Sequence, residues 1–85
     1  MNNKLEIFKK KLLYRASYRG TKEMDILLTS FVKFYLNKFN EDDLMQLEKL
    51  LNFEDNVILD FYLNKISNGP ISKNSTSKFL KKFKI

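Results

Sequence analysis

Apolar side chains recur along this chain at three- and four-residue intervals, the repeat expected of helices that bury one face. Leu5, Phe8, Leu12 and Ala16 form the first stripe and predict a helix from about Asn3 to Ser17. Gly20 interrupts it, and glycine just past a helix fits a C′ position or a tight connector. The second stripe, Met24, Leu27, Leu28, Phe31 and Tyr35, is the clearest in the chain and ends near Lys38. Thr21 is its expected N-cap, and Glu23 and Asp25 fall in the first turn, where the helix dipole favours anions.

Asn40 followed by Glu41, Asp42 and Asp43 reads as the capped, acidic start of a third helix, with Leu44, Leu47 and Leu51 as its stripe. Glu54 and Asp55 open a fourth. There Val57, Ile58, Leu59, Phe61, Tyr62, Leu63 and Ile66 leave only Asp60 and Asn64 as a polar edge. A helix apolar almost all round is expected at the centre of a core. Asn68-Gly69-Pro70 is the strongest breaker in the chain, so residues 68–72 separate this region from a short basic helix. That last helix sets Phe79, Leu80 and Phe83, its docking residues, among Lys78, Lys81, Lys82 and Lys84. No strand-like alternation, internal repeat or linker is present. The expected fold is all-α, a single compact bundle of four to five short helices, with residues 1–85 as one domain.

Composition narrows what such a bundle can do. Eighty-five residues with 44% apolar content support one modest core. The sequence has no Cys and no His, which removes the thiolate nucleophile, the commonest general base and the commonest zinc ligands. An enzyme is therefore not expected, and no catalytic, metal or cofactor-binding residue is assigned. Glu41-Asp42-Asp43 has a sufficient explanation as the acidic first turn of a helix. No apolar run reaches the roughly 20 residues of a spanning helix, and no signal-peptide pattern follows the N-terminal lysines. Stable membrane insertion and secretion are not expected, so the match of Asn74-Ser75-Thr76 to a glycosylation sequon carries no weight.

Charge falls in blocks: +6 over residues 1–22, −6 over 23–60 and +6 over 61–85. So acidic a middle fits poorly with a nucleic-acid binder and better with segments that attract one another or a partner of mixed charge. Of sixteen cationic side chains fourteen are lysine, and the two arginines, Arg15 and Arg19, both lie beside the first helix junction. The planar guanidinium fork matches a carboxylate or phosphate, whereas an ammonium is a solvated point charge. Specific recognition is expected at this corner.

The stretch from Lys11 to Leu28, with Arg19-Gly20-Thr21-Lys22-Glu23 at its centre, resembles the signature of the succinate dehydrogenase assembly factor 2 family, also called the SdhE or flavinylation-factor family. Its hallmark is Arg-Gly-x-x-Glu at the end of the first helix, before a Leu-rich second helix. Phe31, the segment from Phe39 through Leu44 to Leu47, Leu50 and Leu51, and Glu54-Asp55 before Asp60-Phe61 continue the likeness. It covers roughly residues 5 to 66; the tail beyond Gly69 has no recognisable counterpart. Thr21 stands where the family usually has Met, Phe61 near a frequent Trp, and Asn56 near a frequent Pro.

The resemblance implies a five-helix bundle that binds the flavoprotein subunit of succinate dehydrogenase, or in some bacteria of fumarate reductase. It also implies that the bundle promotes covalent attachment of FAD to a histidine of that subunit. Carried over by position, Arg19, Gly20 and Glu23 form the partner-binding motif, flanked by Arg15 and Asp25. On this reading FAD belongs to the partner, and the chain is a monomer of the bacterial cytoplasm, or of the mitochondrial matrix in a eukaryote. Arg19→Ala and Glu23→Ala are expected to leave the fold intact. The residues alone also admit an i, i+4 surface ion pair between Arg19 and Glu23. At the level of function, they admit a small basic nucleic-acid-binding or generic protein-interaction module.

Overall fold

Among the described residues there are five helices: α1 (Lys4–Ser17), α2 (Lys22–Tyr35), α3 (Glu41–Leu51), α4 (Asp55–Tyr62) and α5 (Ser75–Lys82). They come from a computed structural model, which describes residues 4–63 and 69–84. The all-α bundle anticipated from periodicity is the observed fold, and no strand occurs among the described residues.

α2, α3 and α5 each start at a side-chain cap. Thr21 is extended at φ −126°, and its hydroxyl accepts from the Met24 backbone N–H, satisfying one of the orphan donors at the start of α2. Asn40 and Asp43 form a reciprocal capping box at α3. Asn74 and Ser77 do the same at α5. The Asn74-Ser75-Thr76 run is thus the start of a helix, with Asn74 as its cap.

α1 and α2 run antiparallel: Lys9 reaches Asn37 at one end, and the Thr29 hydroxyl donates to the Ala16 carbonyl and the Ser17 hydroxyl at the other. α3 lies beside α1 in the parallel sense, with Leu44 and Met45 near Leu5 and Phe8 while Asn52 faces Arg15. α5 packs on α3. There the buried Thr76 donates to the Asp43 carbonyl, and Ser75 donates to the Asp43 carboxylate at 2.6 Å. At its far end α5 meets α4, where the Tyr62 hydroxyl donates to the Phe83 carbonyl at 2.6 Å and Lys81 lies over the Phe61 ring.

The core corrects one expectation. α2 buries five side chains (Met24, Leu27, Leu28, Phe31, Val32) and α3 four (Leu44, Leu47, Leu50, Leu51), whereas α4, among the described residues, buries Ile58 and Phe61. α4 is apolar but short, and Val57, Leu59 and Tyr62 stay half-buried at its margin. α2 and α3 therefore supply most of the core, α2 packed along α1 and α3 against both α1 and α5; the expected extension of α4 to Asn64 and Ile66 lies outside the described residues. Leu5 and Phe79, both assigned inward, are each 39% exposed, while Leu12, Ala16 and Leu80 are buried as expected.

Candidate functional site: the α1–α2 corner

Between Ser17 and Lys22 the chain reverses direction, and the turn between α3 and α4 rises to meet it. α3 ends at Leu51, so the last carbonyls of that helix have no intrahelical partner. Arg19 fills that need. Its Nη1 donates to the Leu51 carbonyl at 2.9 Å and its Nη2 to the Phe53 carbonyl at 2.7 Å. Its Nε donates to Asp55 Oδ1 at 2.6 Å, an ion pair as well as a hydrogen bond. The cation thus sits at the negative end of α3 and Asp55 at the positive start of α4, so each charge lies at the helix end whose dipole favours it. Three acceptors in three directions require the fork; a lysine ammonium on its flexible stem would not hold them together.

The backbone is tied in as well. The Gly20 N–H donates to Asp55 Oδ2 at 2.7 Å, so one carboxylate bridges the arginine side chain and the next residue's amide. The Arg19 N–H donates to Asp25 Oδ1 at 2.5 Å. Gly20 does not adopt the left-handed φ of a glycine C′ cap. Its lack of a side chain matters because a Cβ there would stand 3.2 Å from Asp55 Oδ2, tighter than ordinary contact. One turn back on α1, Arg15 donates to the Asn52 side chain.

The five residues singled out in the sequence therefore occupy one corner in different roles. The Arg19 side chain is only 10% exposed, and each of its three nitrogens donates to a partner within the chain. It pairs with Asp55 rather than Glu23, so the i, i+4 surface pair is not formed. Arg15 and Asp25 are half-buried, and each has a partner within the chain, Arg15 the exposed Asn52 and Asp25 the Arg19 N–H. Gly20 is exposed. Glu23 is exposed and has no hydrogen-bond or ion-pair partner among the described residues. This geometry replaces the expectation of an intact fold after Arg19→Ala with that of a loosened corner. Asn52 and Asp55 complete the site; the only hint of Asp55 in the sequence was the acidic segment of the family likeness.

A dinucleotide needs free backbone N–H groups at a helix start, usually behind a glycine-rich turn. Here the starts of α2, α3 and α5 are occupied by the chain's own Thr21, Asn40 and Asn74, and the sequence has only two glycines.

By fold the chain is a small all-α bundle whose α1–α2 corner is locked by its own hydrogen bonds. The comparison with known families makes this specific. The profile of the family described as flavinator of succinate dehydrogenase matches residues 10–84, and the chain belongs to that family. The match runs through α5, beyond the residue 66 at which the likeness was lost to inspection.

Succinate dehydrogenase assembly factor 2, mitochondrial, of Saccharomyces cerevisiae is 35% identical over 81 residues, covering 94% of this chain and 50% of the relative. The 2-B form of Drosophila willistoni is 48% identical over 48 residues, 56% of this chain and 31% of that one. The assembly factor 2 of Danio rerio is 44% identical over 52 residues, 61% and 33% of the two chains. The chain thus spans half the length of the yeast relative and about a third of the other two. No solved structure matches it.

Proposed function

We propose that this chain is a non-catalytic assembly chaperone that binds the flavoprotein subunit of succinate dehydrogenase, as a monomer, and promotes covalent attachment of FAD to that subunit. Membership of the flavinator family across residues 10–84 is the observation that carries the reading. The fumarate reductase flavoprotein, where a host makes one, is a second client. The place of action is wherever that client matures, the bacterial cytoplasm or the mitochondrial matrix; the matched relatives are named as mitochondrial.

The corner supports a division of labour within Arg-Gly-x-x-Glu. Arg19 positions; Glu23 contacts. By fixing the α1–α2 turn against the α3–α4 turn, the guanidinium holds Glu23 at one angle on the first turn of α2, beside the exposed Gly20 and the exposed ring of Tyr18. A preset carboxylate loses less freedom on docking than a mobile one, which favours affinity. The bare backbone at Gly20 allows close approach. FAD belongs to the partner, where its ring accepts charge as a histidine attacks. A helper needs no base of its own to assist: holding the client's domains in register aligns the reacting atoms, and preorganisation of that kind lowers barriers by several kcal/mol.

The test is co-expression of a succinate dehydrogenase flavoprotein with and without this chain, followed by in-gel flavin fluorescence after denaturation. Covalent flavin is expected to rise strongly with the chain present and to fall to the background level with Glu23→Ala. Equal fluorescence with and without the chain would overturn the proposal.

A further inference from the structure

The far end of α2 carries a second surface that the flavinylation reading does not use. Phe34, Tyr35, Phe39, Phe79 and Phe83 form one continuous aromatic cluster. Within it the rings of Phe34 and Phe83 are 6.0 Å apart, Tyr35 and Phe79 5.0 Å, and Tyr35 and Phe39 5.1 Å. The cluster is not closed over: Phe34 is 53% and Phe79 39% exposed. Lys38, Lys78, Lys82 and Lys84 stand around it, all exposed, and none is paired with a carboxylate among the described residues. Residues 61–85 contain six bases and no acid.

We propose that this aromatic end, Phe34 and Phe79 within a ring of lysines, docks on the surface of an anionic lipid bilayer. Three observations select that occupant. Exposed phenylalanines flanked by lysines match the division of an interface, with rings entering the acyl boundary while long stems let the ammonium groups remain among headgroups. Every cation here is a lysine, a point charge suited to diffuse anionic headgroups; a defined acidic polypeptide would be better met by arginine forks. Base stacking on Phe34 is disfavoured because Lys38 Nζ already lies 4.4 Å from the centre of its ring. No helix among the described residues is long and apolar enough to cross a membrane, so the contact is peripheral.

The experiment is co-sedimentation of the whole chain with vesicles of phosphatidylcholine alone and of phosphatidylcholine with phosphatidylserine at about 7:3. Binding to the anionic vesicles is expected to be at least about tenfold tighter, with each lysine contributing up to roughly fivefold. Phe34→Ser with Phe79→Ser is expected to lose roughly tenfold or more of that binding, with helicity by circular dichroism as the folding check. Lys78→Glu with Lys82→Glu, both exposed, is expected to lose at least as much. Glu23→Ala should bind vesicles normally, which separates this surface from the flavoprotein contact. Equal sedimentation with both vesicle types would overturn the proposal. So would full retention by the phenylalanine variant, or tighter binding to a single-stranded RNA oligonucleotide that strips the chain from vesicles.

Discussion

α2 begins and ends in opposite kinds of chemistry, separated by one helix of roughly 20 Å. At its start, directed hydrogen bonds engage nearly every polar group in reach: the Arg19 fork, the Gly20 amide and the Asp55 carboxylate satisfy one another. At its end, aromatic rings pack in tilted and edge-on pairs, and Lys38, Lys78, Lys82 and Lys84 have no carboxylate partner among the described residues. The first region is specified by geometry and should tolerate little change. The second is specified by composition and should tolerate much.

That contrast is broken most severely by Arg19→Ala. It leaves the Asp55 carboxylate without its cation and two carbonyls without donors, in a site mostly shielded from water. We expect a loss of about 2–4 kcal/mol in urea unfolding. Arg19→Lys should recover less than half of it, because an ammonium cannot span the three acceptors. Thr21→Ala removes the cap of α2 and should cost about 1 kcal/mol by the same measurement.

At the other end, Phe34→Ser removes a half-exposed ring, and we expect less than about 1 kcal/mol. A larger loss would mean that the aromatic end is as sharply specified as the corner. The smallest effect on stability is expected from Glu23→Ala, within about 0.5 kcal/mol, although covalent flavin yield should collapse. Those two readouts separate the contacting residue from the positioning one.

What the sequence disclosed follows the same division. Met24, Leu27, Leu28 and Phe31 recur on one face, and all four are buried. Thr21 and Asn40 precede their helices and cap them. These are local relations, written in spacings of three and four. The corner is different: Arg19 meets Asp55 across 36 positions and Phe53 across 34, and no periodicity encodes such a meeting. The scarcity of arginine marked the place, but not that the fork faces inward. α4 shows the limit of composition: it is apolar almost all round, yet among its described residues it buries Ile58 and Phe61 and leaves Val57, Leu59 and Tyr62 half-buried. Thr76 and Ser77 gave no apolar signal, and they are buried because α3 supplies Asp43 and the Ser72 carbonyl lies in reach.

The central claim is that Arg19 serves this chain's own architecture before it serves any partner. A double-mutant cycle on Arg19→Ala and Asp55→Ala, read by urea unfolding of the isolated chain, tests it most directly. A coupling of roughly 1–3 kcal/mol between the two positions is expected. Additive losses, with no coupling, would contradict the account and return the guanidinium to the outer surface.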